Sequence, residues 1–123
     1  MKALRVLLIE NDALISMLLA ELLAGMGYDV CATAATEADA VAAAIRYRPD
    51  LMIVDADLGR DGGSGVSAIE EILRTAPVAH VFVSGAPGTV QTLRPGDVVV
   101  RKPFREADLV RAIEIALGGA TAG

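Results

Sequence analysis

Side chains that can handle a phosphoryl group follow four short apolar runs in this sequence. They are Glu10, Asn11, Asp12, Asp55, Asp57, Ser84 and Lys102. A carboxylate can take up a phosphoryl group covalently, and carboxylate oxygens are also ligands of Mg²⁺. A hydroxyl and a lysine ammonium can stabilise charge on the transferred group. These residue types together predict chemistry on phosphate with the help of magnesium, provided that the fold brings them into one place.

Five runs of mainly aliphatic residues alternate with helical patterns. We expect strands at Leu4–Glu10, Asp29–Ala34, Leu51–Asp55, Val78–Ser84 and Asp97–Lys102. Three of the runs are almost continuously apolar, which is typical of parallel strands covered on both faces. The alternation predicts a doubly wound α/β fold, with a parallel sheet in the flavodoxin-like order 2-1-3-4-5. Ligands of such sheets bind at the carboxyl ends of the strands, where the candidate residues stand.

Helical patterns fill the connections between the strands. We expect helices at Ala13–Gly25, from a capping box at Thr36–Asp39 to just before Pro49, at Val66–Arg74 and at Glu106–Leu117. The buried face of the first helix is predicted to consist of Ile15, Leu19, Leu22 and Met26. Leu14 and Leu18 form an apolar strip beside that face. If they are exposed, they would suit docking against a helix of another protein.

The segment between Ser84 and Asp97 breaks this rhythm because it contains two prolines and three glycines. It can hold at most a short helix, so the fourth of the five helices is predicted to be short or disordered. We expect Gly85–Gly96 to be mobile until a charge near Ser84 orders it. Residues 1–118 are predicted to form one domain, and residues 119–123 a flexible tail.

The composition favours a folded domain of the cytoplasm. Of the 123 residues, 54% are hydrophobic, which excludes a disordered chain. No apolar run approaches the ~20 residues that a membrane helix needs, and no signal peptide is visible. The net charge is −5 and the basic residues are scattered, so we expect no nucleic-acid binding. Cys31 and His80 lie inside strand patterns, where a buried thiol and a structural imidazole are expected.

The ordered motifs resemble the receiver domain of response regulators in two-component signalling. They are the acidic residues after the first strand, Pro49-Asp50-Leu51 leading to Asp55, then Ser84, and finally Lys102-Pro103-Phe104. The resemblance extends from Leu4 to Leu117. The glycines between Asp55 and Val66, with the shortened fourth helix, are similar to alphaproteobacterial receivers, including those of the general stress response.

This resemblance implies a role for each candidate residue. Asp55 would accept the phosphoryl group from a sensor histidine kinase or a histidine phosphotransfer protein. Ser84 would be the switch hydroxyl and Lys102 the lysine of the site. Glu10, Asn11, Asp55 and the backbone carbonyl of Asp57 would bind Mg²⁺. The Lys102–Pro103 bond would be cis. The chain would be a monomer or weak homodimer, and its only reactions would be its own phosphorylation and dephosphorylation.

The sequence departs from the family pattern at three positions. Asn11 stands where a second acid is usual, so we expect weak Mg²⁺ binding. Val99 stands where many receivers have a Tyr or Phe whose rotamer reports phosphorylation. Asp57 adds an acid two residues after the acceptor.

Other interpretations of these residues remain open. Asp12 suits a helix N-cap, Ser84 a turn, Lys102 a surface position, and Arg60 and Asp61 a solvated turn. Because Asn11 weakens the metal site, a degenerate receiver that binds partners without phosphorylation is one alternative. A phosphatase of the haloacid-dehalogenase type, which also uses Asp-x-Asp, is another.

Overall fold

The computed structural model describes residues 3–85 and 97–118. Within these residues the strands are β1 Arg5–Ile9, β2 Asp29–Ala34, β3 Leu51–Asp55, β4 Ala79–Ser84 and β5 Val99–Arg101. The helices are α1 Ala13–Gly25, α2 Glu37–Tyr47, α3 Gly65–Thr75 and α4 Glu106–Ala116. Neighbouring strands are parallel, in the order β2-β1-β3-β4-β5. The predicted fold class and strand order are therefore confirmed.

The central strands are buried on both faces of the sheet. Leu7 and Ile9 of β1 belong to the core shared with α2 and α3. Val6 and Leu8 belong to the core shared with α1 and α4. Every residue of β3 is buried, as the continuous apolar run predicts. The carboxyl ends of β1 and β3 thus lie between the two buried cores of the described residues.

Two strands end one residue earlier than the sequence predicts. β1 ends at Ile9 and β5 ends at Arg101, so Glu10 and Lys102 both stand just beyond strand ends. β5 lies at the edge of the sheet and pairs with β4 through only three residues. An edge strand with a single neighbour has fewer hydrogen bonds to extend it.

Short polar side chains cap the helices. Oδ1 of Asp12 accepts the backbone N–H groups of Leu14 and Ile15, at 2.9 and 3.1 Å. The capping role considered for Asp12 is therefore confirmed. Oγ1 of Thr36 accepts the N–H of Asp39 at 3.1 Å, which begins α2 where the sequence predicts.

The buried face of α1 differs from the predicted strip. Leu19 and Leu23 are its buried residues, whereas Ile15, Leu22 and Met26 are half-buried. The core therefore lies under Leu19 and Leu23, which are four positions apart in α1. The prediction omitted Leu23. Leu14 and Leu18 are exposed, as expected.

Two strand residues that are not part of the acidic cluster behave as structural groups. Cys31 is half-buried rather than buried, because β2 is an edge strand. Its thiol lies 3.4 Å from the carbonyl oxygen of Val6. The His80 ring lies between the carbonyl of Val78 and the carboxylate of Asp97, at 3.0 and 3.4 Å. This agrees with the structural role predicted for His80.

The predicted short helix and its mobility concern Gly85–Gly96, of which residues 86–96 are not described, and the predicted tail is residues 119–123. Residues 86–96 and 119–123 lie outside the described residues, and both expectations remain predictions. Among the helices of residues 3–85 and 97–118, none has the length and apolar character required to cross a membrane.

Candidate functional site

Three buried polar residues lie at the adjacent carboxyl ends of β1, β3 and β4. Glu10, Asp55 and Ser84 are only 4, 6 and 4% exposed. The ammonium of Lys102 lies 3.2 Å from Oδ2 of Asp55 and 3.4 Å from Oε2 of Glu10. Ser84 follows Val83, which is the residue of β4 in register with Asp55. The structure therefore brings four of the predicted site residues to one edge of the sheet.

Asn11 and Asp57, the other two predicted residues, are exposed at the rim of this cluster. The N–H of Asp57 donates to Oδ1 of Asp55 at 3.0 Å. The carboxylate of Asp57 instead accepts the N–H of Gly59 at 2.9 Å. Asn11 also lies beside Gly59, since a Cβ at that glycine would come within 3.0 Å of Nδ2 of Asn11. The backbone of Asp57, rather than its side chain, therefore faces Asp55.

Burial and mutual repulsion make this a site of unusual electrostatics. Burial and the neighbouring Asp55 carboxylate raise the pKa of Glu10 to about 7, against the opposing effects of the Asp12 N–H and Lys102. Burial lowers the pKa of Lys102, but the charges of Asp55 and Glu10 outweigh it and the net shift is upward. Lys102 is thus a firmly protonated cation between two carboxyl groups.

Stability without metal ions is expected to fall with rising pH because of Glu10. The pKa of Glu10 rises from 4.5 to about 7 on folding, so between these values the native state binds more protons than the unfolded chain. The protonated Glu10 carboxyl contributes its full share to the free energy of unfolding below pH 4.5, and this contribution is lost as the pH rises to about 7. Glu10→Gln cannot ionise and should recover on the order of 2 kcal/mol at about pH 8.

Urea denaturation of the wild type and Glu10→Gln, in the presence of a chelator at about pH 5 and about pH 8, measures this difference. Glu21→Gln is the matched control, because Glu21 is exposed on α1. The same pH response in the wild type and in Glu10→Gln would contradict the prediction.

The donor atoms at this edge suit a hard cation. The described part of the chain contains no group of three or more His, Cys, Asp or Glu side chains placed to hold a metal ion. A bound Mg²⁺ would therefore use the carboxylates of Glu10 and Asp55, completed by amide and backbone oxygens or by water, which Mg²⁺ commonly retains. Two like-charged carboxyl groups, already next to the Lys102 ammonium, fit such a cation because it would reduce their repulsion.

The loop that follows Asp55, residues 56–64, is more firmly anchored than the predicted solvated turn. Arg60 and Asp61 are exposed, as expected. Leu58, however, is only 2% exposed and belongs to the core shared with α2 and α3. Glu37 of α2 also contacts the loop, because its Oε1 accepts the N–H of Ser64 at 3.2 Å. Sequence reasoning missed both anchors, and only the apolar character of Leu58 within a polar stretch signalled either of them.

The residues after β5 fix Lys102. Its backbone N–H donates to the carbonyl of Ser84 at 2.9 Å. Phe104, two residues later, is half-buried against the core shared with α1 and α4. The Lys102–Pro103 bond is cis, as the resemblance implies.

Known proteins are similar to this chain in sequence and in fold. The response regulator receiver domain model matches residues 6–114. The chain is 36% identical to the phyllosphere-induced regulator PhyR of Methylorubrum extorquens over 118 residues, which cover 94% of this chain and 44% of that protein. It is 36% identical to the transcriptional regulatory protein PdtaR of Mycobacterium tuberculosis, covering 92% of this chain and 56% of PdtaR.

A solved structure gives the same result. The solution structure of the PhyR response regulator REC domain of Erythrobacter litoralis superimposes with a TM-score of 0.85 at 35% identity, covering 95% of this chain and 92% of that one. The chain spans about half the length of these two relatives, PhyR and PdtaR. The family match covers most of the sequence, so the chain belongs to the response regulator receiver domain family.

Proposed function

We propose that Asp55 is the residue on which this phosphoacceptor signalling domain takes up its phosphoryl group. The observation that carries the proposal is the buried Asp55 carboxylate at the end of the central strand β3, with the Lys102 ammonium 3.2 Å away. The donor would be a sensor histidine kinase or a histidine phosphotransfer protein. The altered charge would change the surface that a downstream partner binds.

The two oxygens of Asp55 have different surroundings. Oδ1 accepts the N–H of Asp57, which fixes the carboxylate, and Oδ2 faces Lys102. In the proposed transfer, a carboxylate oxygen bonds to phosphorus while the bond from phosphorus to the donor imidazole nitrogen breaks. The imidazole then takes a proton from solvent. The Lys102 ammonium would offset the negative charge on the phosphoryl oxygens, and the hydroxyl of Ser84 would donate a hydrogen bond to them.

Glu10 and Asp55, with Asn11 and the backbone carbonyl of Asp57 as the family resemblance implies, would hold Mg²⁺. When bound, the ion would supply positive charge that offsets the negative charge of the acids and of the phosphoryl group. Asn11 contributes no charge, so the binding is expected to be weak.

Intact mass spectrometry after incubation with Mg²⁺ and acetyl phosphate tests this function. We expect the protein to gain the mass of one phosphoryl group, and the gain to persist after the donor is removed. A degenerate receiver would gain no mass, and that result would overturn the proposal. Family membership sets aside the haloacid-dehalogenase alternative, for which the donor would be consumed without a lasting gain.

The exposed face of α1 is the proposed docking surface for the phosphodonor. Leu14, Met17 and Leu18 are 64, 61 and 57% exposed, an unusual concentration of apolar side chains on one helix. A cleft of about 520 Å³ beside them is lined by Leu18, Lys102 and Phe104, among other residues. Because Lys102 lines both this cleft and the acceptor site, a helix docked here would bring its histidine towards Asp55.

Leu18→Lys should slow phosphotransfer from a histidine kinase roughly tenfold or more, since it would place an unpaired charge in an apolar contact. Labelling by acetyl phosphate should be unchanged. Ile45→Lys is the control, because Ile45 is 62% exposed on α2, away from this surface. Time courses with a phosphorylated kinase that labels the wild type measure the effect. Equal slowing with both donors would indicate a folding defect and contradict the docking role.

The remaining expectations are of cytoplasmic location, a monomer or weak homodimer, and no nucleic-acid binding. These stay predictions.

A further inference from the structure

Glu37, the first residue of α2, makes two hydrogen bonds to the loop that follows Asp55, one through its side chain and one through its backbone. Its side-chain Oε1 accepts the N–H of Ser64 at 3.2 Å. Its backbone N–H donates to the carbonyl of Gly62 at 2.8 Å. Glu37 is half-buried, which shields the hydrogen bond from competing water. One residue of α2 thus fixes both sides of Gly63.

Any larger residue at Gly63 would adopt an unfavourable φ and displace the Glu37 carboxylate. Gly63 has a φ of +82°, which favours glycine. A Cβ at this position would also lie 2.8 Å from Oε1 of Glu37. The glycine therefore allows both the left-handed turn and the close approach of the carboxylate.

Residues 62–64, which Glu37 contacts, pair with residues 56–58, which follow Asp55. Asp57 and Ser64 form an antiparallel bridge. The N–H of Leu58 donates to the carbonyl of Gly63 at 3.3 Å, and the N–H of Gly65 donates to the carbonyl of Ala56 at 3.1 Å. A displacement of residues 62–64 must therefore move residues 56–58, including the Asp57 N–H that holds Oδ1 of Asp55.

We propose that Glu37 is a positioning residue for the acceptor site. It sets the backbone of residues 56–58, and through them the orientation of Asp55 and the carbonyl of Asp57. The proposal rests on the function proposed above for Asp55. It links α2, which supplies none of the buried site residues, to phosphoryl uptake.

Three variants separate positioning from general stability. Glu37→Ala removes the acceptor for Ser64, whereas Glu37→Gln keeps an oxygen at the same place. Asp39→Ala removes a similar carboxylate from the first turn of α2, where Asp39 is exposed. In Glu37→Ala, amide hydrogen exchange at Ser64 and Leu58 should accelerate about fivefold, the scale of one lost hydrogen bond. The Mg²⁺ concentration for half-maximal labelling by acetyl phosphate should rise by about the same factor.

Glu37→Gln should restore both quantities to within about twofold of the wild type, and Asp39→Ala should change neither. Wild-type exchange and Mg²⁺ dependence in Glu37→Ala would overturn the positioning role. A uniform acceleration of exchange across the sheet, not reversed in Glu37→Gln, would overturn it in favour of a general loss of stability. If the wild type itself gains no phosphoryl group, the proposed function fails, and the exchange data alone then show whether Glu37 holds the loop.

Discussion

The Asp55→Asn variant is expected to gain no phosphoryl group under conditions that label the wild type fully. An amide is not a nucleophile for phosphorus, and Asp55 is the buried aspartate of the cluster around Lys102. The fold should survive, because Asn has nearly the same shape as Asp and its amide oxygen can still accept the N–H of Asp57. Intact mass spectrometry measures the loss, and circular dichroism checks the fold.

Asp57→Asn is the matched control for this experiment. Its side chain is exposed, and its carboxylate accepts the N–H of Gly59, which an amide oxygen can also do. We expect Asp57→Asn to be labelled like the wild type. A full mass gain in Asp55→Asn, or a phosphoryl group mapped to Glu10 or Asp57, would show that the acceptor has been assigned wrongly.

Gly65→Ala is expected to destabilise the protein by more than about 2 kcal/mol, because the new methyl group would overlap neighbouring atoms of the core. A Cβ at Gly65 would collide with the carbonyl oxygen of Asp55 and lie 2.8 Å from Cγ1 of Val54. The first obstacle is backbone of a buried central strand, which cannot move aside cheaply. Any accommodation would shift Asp55 itself, so labelling of the folded fraction should also slow.

Gly25→Ala provides the comparison. Gly25 ends α1, and a Cβ there would meet no atom within 4 Å. That substitution should be neutral or stabilising by up to about 1 kcal/mol, because alanine favours the helix. Urea denaturation of both variants decides the matter. A free energy of unfolding for Gly65→Ala equal to that of the wild type would mean that the close approach to Asp55 can relax.

The fold and the centre of the site were predictable from the sequence for a definite reason. Parallel strands buried on both faces produce apolar runs that are visible locally, and the carboxyl ends of such strands must meet. Glu10, Asp55, Ser84 and Lys102 could therefore be grouped without any knowledge of their contacts. The sheet order, with the family resemblance, then placed them beside one another.

The features that were missed depend on tertiary packing. The contact from Glu37 to Ser64 joins residues 27 positions apart, and no local pattern signals it. The choice of Leu23 over Leu22 as a buried residue of α1 depends on how the helix is rotated on the sheet. Cys31 is half-buried because β2 is an edge strand. The predicted strand order already placed β2 at the edge, and the expectation of a buried thiol did not take this into account.

The hydrogen bond from the N–H of Lys102 to the carbonyl of Ser84 couples the movements of the carboxyl ends of β4 and β5. In the described part of the chain, β5 has three residues in register with β4 and pairs with no other strand. A displacement of the Ser84 backbone would therefore also move the backbone of Lys102. The hydroxyl of Ser84 and the ammonium of Lys102 would then move together towards a new anion at Asp55. The movement would be larger at β5, on the edge of the sheet, than in its central strands.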